Sequence, residues 1–216
     1  MKPADSDRAG AEKLARRVAE QGVTDERILA AIAAVPRRIF LAAAYQASAY
    51  ADRALPIECG QTISPPSTTA MLVAALDLKP EHKLLEIGTG SGYQTVLLAR
   101  LAAAVVTLER FRTLTDLAAD RFALLKVPNV QAFHADGFDG YPRHAPYDRI
   151  LLDGAVSRIP HPVLDQLADR GLLVAPVGTG PEQTLVRVVR DGRLFHRTEL
   201  GPVRFTPLVE GLAARL

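Results

Sequence analysis

The chain has 216 residues, 48% of them hydrophobic, with 26 Lys and Arg against 24 Asp and Glu for a formal charge of +2. That length buries one substantial core and is short for two full domains, and the near balance of charge, without a dense Lys/Arg block, argues against a nucleic-acid partner. The single cysteine, Cys59, excludes an internal disulfide and a cysteine-based zinc cluster, so a reducing, cytoplasmic setting is expected, with no metal site.

Residues 1–10 are polar and charged and do not read as a secretory signal. No uncharged apolar run approaches the roughly 18 residues of a membrane span, so no membrane partner is expected. Apolar residues at helical spacing (Leu14, Val18; then Ile28, Leu29, Ile32) predict helices over about 7–20 and 24–35, with Gly22 between them, Thr24 as N-cap, and Asp25 and Glu26 in the first turn. The pairs Arg16–Arg17 and Arg37–Arg38 read as solvated helix faces. Residues 52–66, DRALPIECGQTISPP, lack periodicity and are long for a connection; such loops are usually functional. A helix over 67–78 follows, with Pro65 and Pro66 near its start, where a missing N–H costs little.

From Lys83 the pattern changes. Apolar runs predict strands over 83–87, 104–108, 130–135, 147–152 and 172–176, interleaved with helices over 91–101, 112–125 and 160–168. That order demands an α/β fold with a doubly wound, mostly parallel Rossmann-like sheet. Runs over 184–190 and 194–200 flank Asp191-Gly192, which predicts an antiparallel hairpin at the C-terminal edge. Residues 1–66 are expected to supply the N-terminal helical extension and the long loop as part of the same domain, and residues 67–216 its core.

The stretch KLLEIGTGSG, Lys83 to Gly92, carries the most information. Leu84, Leu85 and Ile87 give a buried strand, and Gly88, Gly90 and Gly92 a turn that no side chain blocks. A helix opening at about Ser91 would aim free N–H groups into the crevice, a geometry for a polar or anionic ligand. The spacing is G-T-G-S-G after an acid, Glu86, instead of the dinucleotide G-x-G-x-x-G, and it resembles the cofactor loop of S-adenosylmethionine-dependent (class I) methyltransferases. The next run ends in Glu109, where a carboxylate can accept hydrogen bonds from both ribose hydroxyls.

Four segments together, ADRALPIECGQTIS, LLEIGTGSGYQT, HADG at 134–137 and VRFTPL at 203–208, resemble the protein-L-isoaspartate (D-aspartate) O-methyltransferase family from Val35 onward. The resemblance implies methyl transfer from S-adenosylmethionine to the carboxylate of L-isoaspartyl or D-aspartyl residues in damaged proteins or peptides, a repair reaction that leaves S-adenosylhomocysteine, and a monomer is expected. It implies a cofactor site at Thr62, Ile63, Glu86, Gly88, Thr89, Gly90, Glu109, Asp136 and Gly137, a catalytic hydroxyl on Ser64, and a substrate groove of Ser64, Asp153, Arg204 and Pro207. Ser64 also reads as an N-cap for the following helix, and the two roles can coexist. His134, His144 and His161 read as surface or turn residues. No general base is required, because a carboxylate is already ionised at neutral pH.

Three positions depart from the family's pattern: Asp153-Gly154, where a neutral pair such as Thr-Ala is usual, Pro65, where Gln or Ala is common, and Val209, where some relatives carry a hydroxyl. Two like charges about 5 Å apart repel by roughly 1 kcal/mol in a watery cleft and roughly 3 kcal/mol at an effective dielectric near 20. Asp153 must therefore be protonated, paired with Arg158 or Arg204, or turned away to cap the helix near Pro160. Two alternatives stay open at this point: a methyltransferase of the same fold for an amine, hydroxyl or small-molecule carboxylate, and a non-catalytic S-adenosylmethionine-binding module.

Overall fold

A computed structural model describes residues 5–213. Helices α1 (Asp5–Glu20) and α2 (Glu26–Ala34) form the N-terminal hairpin. The cap of α2 is Asp25 and not Thr24: its carboxylate accepts the Arg27 N–H at 2.9 Å and pairs with the Arg27 guanidinium at 2.6 Å, and a negative charge there also suits the positive end of the helix. The long loop is more ordered than its sequence suggests. Strands β1 (Leu55–Pro56) and β2 (Thr62–Ile63) pair antiparallel, with Leu55 opposite Ile63, before α3 (Pro66–Ala75) begins.

The main sheet contains β3 (Lys83–Ile87), β4 (Ala104–Glu109), β5 (Val130–His134), β6 (Tyr147–Leu152), β7 (Leu167–Val177), β8 (Gln183–Asp191) and β9 (Leu194–Val203), in the order β5-β4-β3-β6-β7-β8-β9. The strands from β5 to β7 are parallel, and β8 and β9 run antiparallel at the edge, as the hairpin signal predicts. Between them lie α4 (Tyr93–Ala99), α5 (Arg112–Leu124) and the short α6 (His161–Asp165). α6 ends early and β7 starts early because the Gln166 side chain is spent on the Tyr141 N–H and the Asp139 and Pro162 carbonyls, while Leu167 enters the core opposite Tyr147.

Side chains alternate across the sheet. Leu84, Val105, Leu151 and Val174 pack on one face in a cluster that runs through Leu97 and Leu72 to Ile28 and Leu14, so the N-terminal helices share the sheet's core. Leu85, Ile87, Val106, Leu108, Ile150 and Leu152 cover the other face with Val163 of α6. A buried and a half-buried side chain close helix ends against this core: Arg149 Nε donates to the Leu76 carbonyl at 2.6 Å and Nη2 to that of Asp77 at 3.1 Å, and Asn129 Nδ2 donates to the Ala99 and Ala102 carbonyls at 2.8 and 3.0 Å. No described helix is long and apolar enough to cross a membrane.

Candidate active site

The strand order reverses between β4–β3 and β6, and open α/β sheets form their ligand crevice at the carboxyl ends of the strands at such a point. Gly88 and Gly90 take φ of 102° and 54° there, which side chains rarely adopt. A Cβ on Gly88 would lie 3.2 Å from the Asp153 carbonyl oxygen, so the backbones that end β3 and β6 nearly touch. The loop's N–H groups are committed within the protein: Gly88 and Thr89 donate to the Leu108 carbonyl (2.9 and 3.2 Å), Gly90 to Glu109 Oε2 (2.9 Å), and Gly92 to the Thr89 carbonyl (2.9 Å). Helix α4 opens at Tyr93 and not Ser91, and the Tyr93 N–H is taken by Ser91 Oγ at 3.3 Å. The amides of Gly88, Thr89, Gly90, Gly92 and Tyr93 are therefore spent inside the protein, and Gly88 and Gly90 present bare backbone to the crevice.

Glu86 lies beneath this loop and is not among the residues lining the crevice. With alternation along β3, it points to the same face as Leu84, toward α4, where it is 0% exposed and accepts from Gln94 Nε2 (3.2 Å), Thr95 Oγ1 (2.5 Å) and Thr107 Oγ1 (2.7 Å). Burial pushes its carboxyl up to about 7. Thr89 joins the same network through Thr107, with 2.6 Å between hydroxyls. Glu86 and Thr89, expected at the cofactor, thus shape the loop from below.

Glu109 is 6% exposed and lines the crevice. Each carboxylate oxygen accepts one backbone N–H, Oε2 from Gly90 (2.9 Å) and Oε1 from Phe111 (3.0 Å), which leaves lone pairs for two further donors. Burial raises its pKa, opposed by these amides. Gly137 also lines the crevice, whereas the Asp136 carboxylate is turned to the backbone, accepting from Phe138 N at 3.0 Å and from Gly211 N at 2.8 Å. The tail segment is fastened further by Arg110 Nε to the Gly211 carbonyl and Ala213 N to the Arg110 carbonyl, both 3.0 Å. His134 donates to or accepts nothing in the crevice; its Nε2 lies 3.0 Å from the Arg110 carbonyl.

One cavity of about 730 Å³ joins Gly88, Gly90, Glu109 and Gly137 to Thr62, Ser64, Asp153, Arg204 and Pro207, a size typical of small-molecule sites. Ile63 is buried and packs below it. The Ser64 side chain makes no hydrogen bond among the described residues, and the N-cap of α3 is Pro65, without a side-chain cap, so the capping alternative for Ser64 is not realised. The tail reaches the site through Ala155, whose N–H donates to the Thr206 carbonyl (2.9 Å) and whose carbonyl accepts from Leu208 N (2.8 Å). Asp153 makes no ion pair among the described residues and does not cap α6, whose N-cap is Pro160; its Oδ1 is enclosed without a partner. Burial, then the charges of Glu86 and Glu109, push its carboxyl up to about 8. Of the three escapes open to this residue, the ion pair and the helix cap are not formed among the described residues, and burial favours the protonated form.

Several residues here had no sequence signal. Phe111, Phe138 and Thr68 line the cavity on elements that come together only in the fold. Arg37 is a correction: it is not solvated but 0% exposed, with Nη2 donating to the Ser64 carbonyl at 3.0 Å and its guanidinium 4.9 Å from the Tyr93 ring centroid.

A sheet of this order, with a glycine turn after β3 and an acid ending β4 on one crevice, defines a class I methyltransferase. A solved protein-L-isoaspartate O-methyltransferase superposes with a TM-score of 0.86 at 27% identity, covering 94% of this chain and 67% of its own. A Plasmodium falciparum structure described as a beta-aspartate methyltransferase in complex with S-adenosyl-L-homocysteine shares the fold, with a TM-score of 0.78 at 24% identity over 92% of this chain and 98% of its own. The family profile Protein-L-isoaspartate(D-aspartate) O-methyltransferase (PCMT) matches residues 9–213. Among curated relatives, proteins named Protein-L-isoaspartate O-methyltransferase are 46% identical in Caulobacter sp. (97% of each chain) and 44% identical in Azorhizobium caulinodans (100% of each). The chain belongs to the protein-L-isoaspartate(D-aspartate) O-methyltransferase family.

Proposed function

We propose that this chain methylates the free carboxylate of L-isoaspartyl, or D-aspartyl, residues in damaged proteins and peptides, using S-adenosylmethionine and releasing S-adenosylhomocysteine. The observation that carries this reading is the single cavity in which the glycine turn and Glu109 face the Ser64 hydroxyl and the Arg204 to Pro207 tail. The residues present fit the cofactor: bare backbone at Gly88 and Gly90 for the methionine portion, free lone pairs on Glu109 for the ribose, and Gly137 beside the adenine. When bound, S-adenosylmethionine supplies an electrophilic methyl group on a cationic sulfur.

The chain's own task is alignment. An acceptor carboxylate needs no base, so Ser64 Oγ, free of other partners, donates a hydrogen bond to one carboxylate oxygen and thereby turns the other toward the donor side of the cavity for attack. Arg204 offers attraction to the incoming acid. A neutral Asp153 removes the repulsion that an ionised one would exert, and this favours a carboxylate acceptor over an amine, which would need Asp153 charged. The near balance of charge, without a dense basic block, and the single cysteine favour a cytoplasmic enzyme that acts on protein and not on nucleic acid.

The test is tritiated methyl incorporation into an isoaspartyl peptide and its normal aspartyl twin. Label in the first and not the second is expected, with loss of most activity in Ser64→Ala. Equal labelling of both peptides, or label in neither alongside cofactor binding by calorimetry, would sink the reading.

A further inference from the structure

The segment Ser64-Pro65-Pro66-Ser67 carries the candidate catalytic hydroxyl at one end. Two prolines fix φ and supply no N–H, so the polar backbone handles at its ends are the Ser64 carbonyl and the Ser67 amide. Each is held by a charged side chain from the N-terminal region. Arg37 Nη2 donates to the Ser64 carbonyl at 3.0 Å, and Asp52 Oδ1 accepts the Ser67 N–H at 3.0 Å. Asp52 is itself held by Gln21 Nε2 at 3.1 Å, from the end of the first helical hairpin arm. On the other side, Leu55 pairs with Ile63, directly before the serine.

Arg37 is a costly way to fill space. It is 0% exposed, and its Nε and Nη1, like the neighbouring Tyr93 hydroxyl, have no partner among the described residues. A buried guanidinium with unpaired donors is less stabilising than a packed apolar side chain, even with the Tyr93 ring beneath it. What it does supply is a directional bond to one carbonyl. Arg37 is absent from the cavity wall, so it acts through Ser64 and not on a ligand.

We propose that Arg37 and Asp52 are positioning residues that clamp the two ends of the Ser64 to Ser67 turn and thereby set the direction of the Ser64 hydroxyl. This rests on the reading of Ser64 as the group that orients the acceptor carboxylate. It gives the N-terminal extension a part in the chemistry: the helices anchor the clamp as well as covering the sheet.

The test combines kinetics on the isoaspartyl peptide, S-adenosylmethionine affinity by calorimetry and thermal melting, for Arg37→Met, Arg37→Lys and Asp52→Asn, each in the wild-type and Ser64→Ala backgrounds. Arg37→Met is expected to lower kcat by about 10- to 100-fold, the scale of a misplacement of about 1 Å, with cofactor affinity within about twofold of wild type. Arg37→Lys is expected to restore part of that loss. In the Ser64→Ala background the same changes should cost less than about twofold more, because the group they position is gone. Equal cost in both backgrounds overturns the clamp alone. Full activity of Ser64→Ala overturns the Ser64 reading and the clamp with it. Should Arg37→Met fail to fold, Asp52→Asn, which keeps the side chain's shape, gives the same comparison.

Discussion

The Gly90 amide donates to Glu109 Oε2 at 2.9 Å, so the acid at the end of β4 also holds the glycine turn at the end of β3. One carboxylate therefore fixes the glycine turn while keeping lone pairs for the ribose hydroxyls of the proposed cofactor. Glu109→Ala is expected to weaken S-adenosylmethionine binding by about 1 to 3 kcal/mol, the range for hydrogen bonds to charged groups, with the fold intact. Calorimetry on the purified variant reads this directly, and unchanged affinity removes Glu109 from the site.

Asp153 gives a pH dependence with a definite sign. Its ordinary value is near 3.8 and its value in the fold is about 8, raised by burial and by Glu86 and Glu109. The folded state therefore binds more protons than the unfolded state across that window, and stability falls as pH rises from about 4 to about 8. Glu86, raised to about 7, adds a slope of the same sign. Asp153→Asn should flatten the fall in melting temperature between pH 5.5 and 8.5. Methylation of the isoaspartyl peptide should decline above about pH 8 in wild type, as Asp153 ionises against the acceptor, and decline less in Asp153→Thr. Parallel profiles for the two proteins would contradict a neutral Asp153 at pH 7.

Gly137 cannot accept even one methyl group. A Cβ there would lie 2.2 Å from Ile87 Cγ2, in the core beneath the crevice. Gly137→Ala is expected to destabilise by about 1 to 3 kcal/mol through overpacking. Gly180→Ala is the control: its nearest neighbour is 3.8 Å away, and its effect should stay within about 0.5 kcal/mol. Urea unfolding of both variants makes the comparison.

Arg149 is the main closure of the end of α3. Replacing it by Met strips partners from the Leu76 and Asp77 carbonyls and should cost about 1 to 3 kcal/mol. Hydrogen exchange should rise first at the C-terminal turn of α3, and protection unchanged there would show that another group takes over.

Much of this molecule can be read from its sequence, and the unreadable parts share a physical cause. Continuous apolar runs such as Leu172 to Ala175 and Ile150 to Leu152 announce buried strands, and their alternation with helical stretches leaves little choice of topology. Glu86 could have been placed from the same pattern, since a period of two puts it on the face of Leu84 beneath α4 and not in the crevice. Arg37 could not, because an Arg-Arg pair looks solvated until Tyr93 and the Ser64 carbonyl are brought to it from elsewhere in the chain. Asp136 is similar: its local signal as a turn before Gly137 is correct, but its second partner, Gly211, is remote in sequence and arrives only through the fold. The cavity-lining residues of six separate stretches are marked by motif; the side chains that hold them still are not.

The sewing of Gly211 and Ala213 to Asp136 and Arg110 has a consequence for how damage would spread. Glu109 and Asp136 are neighbours through this thread, Glu109 preceding Arg110 in the chain and Asp136 grasping the loop that Arg110 also grasps. A lesion in the segment around Gly211 would therefore loosen Arg110 and Asp136, and with them the stretch of crevice wall that Glu109 and Gly137 form.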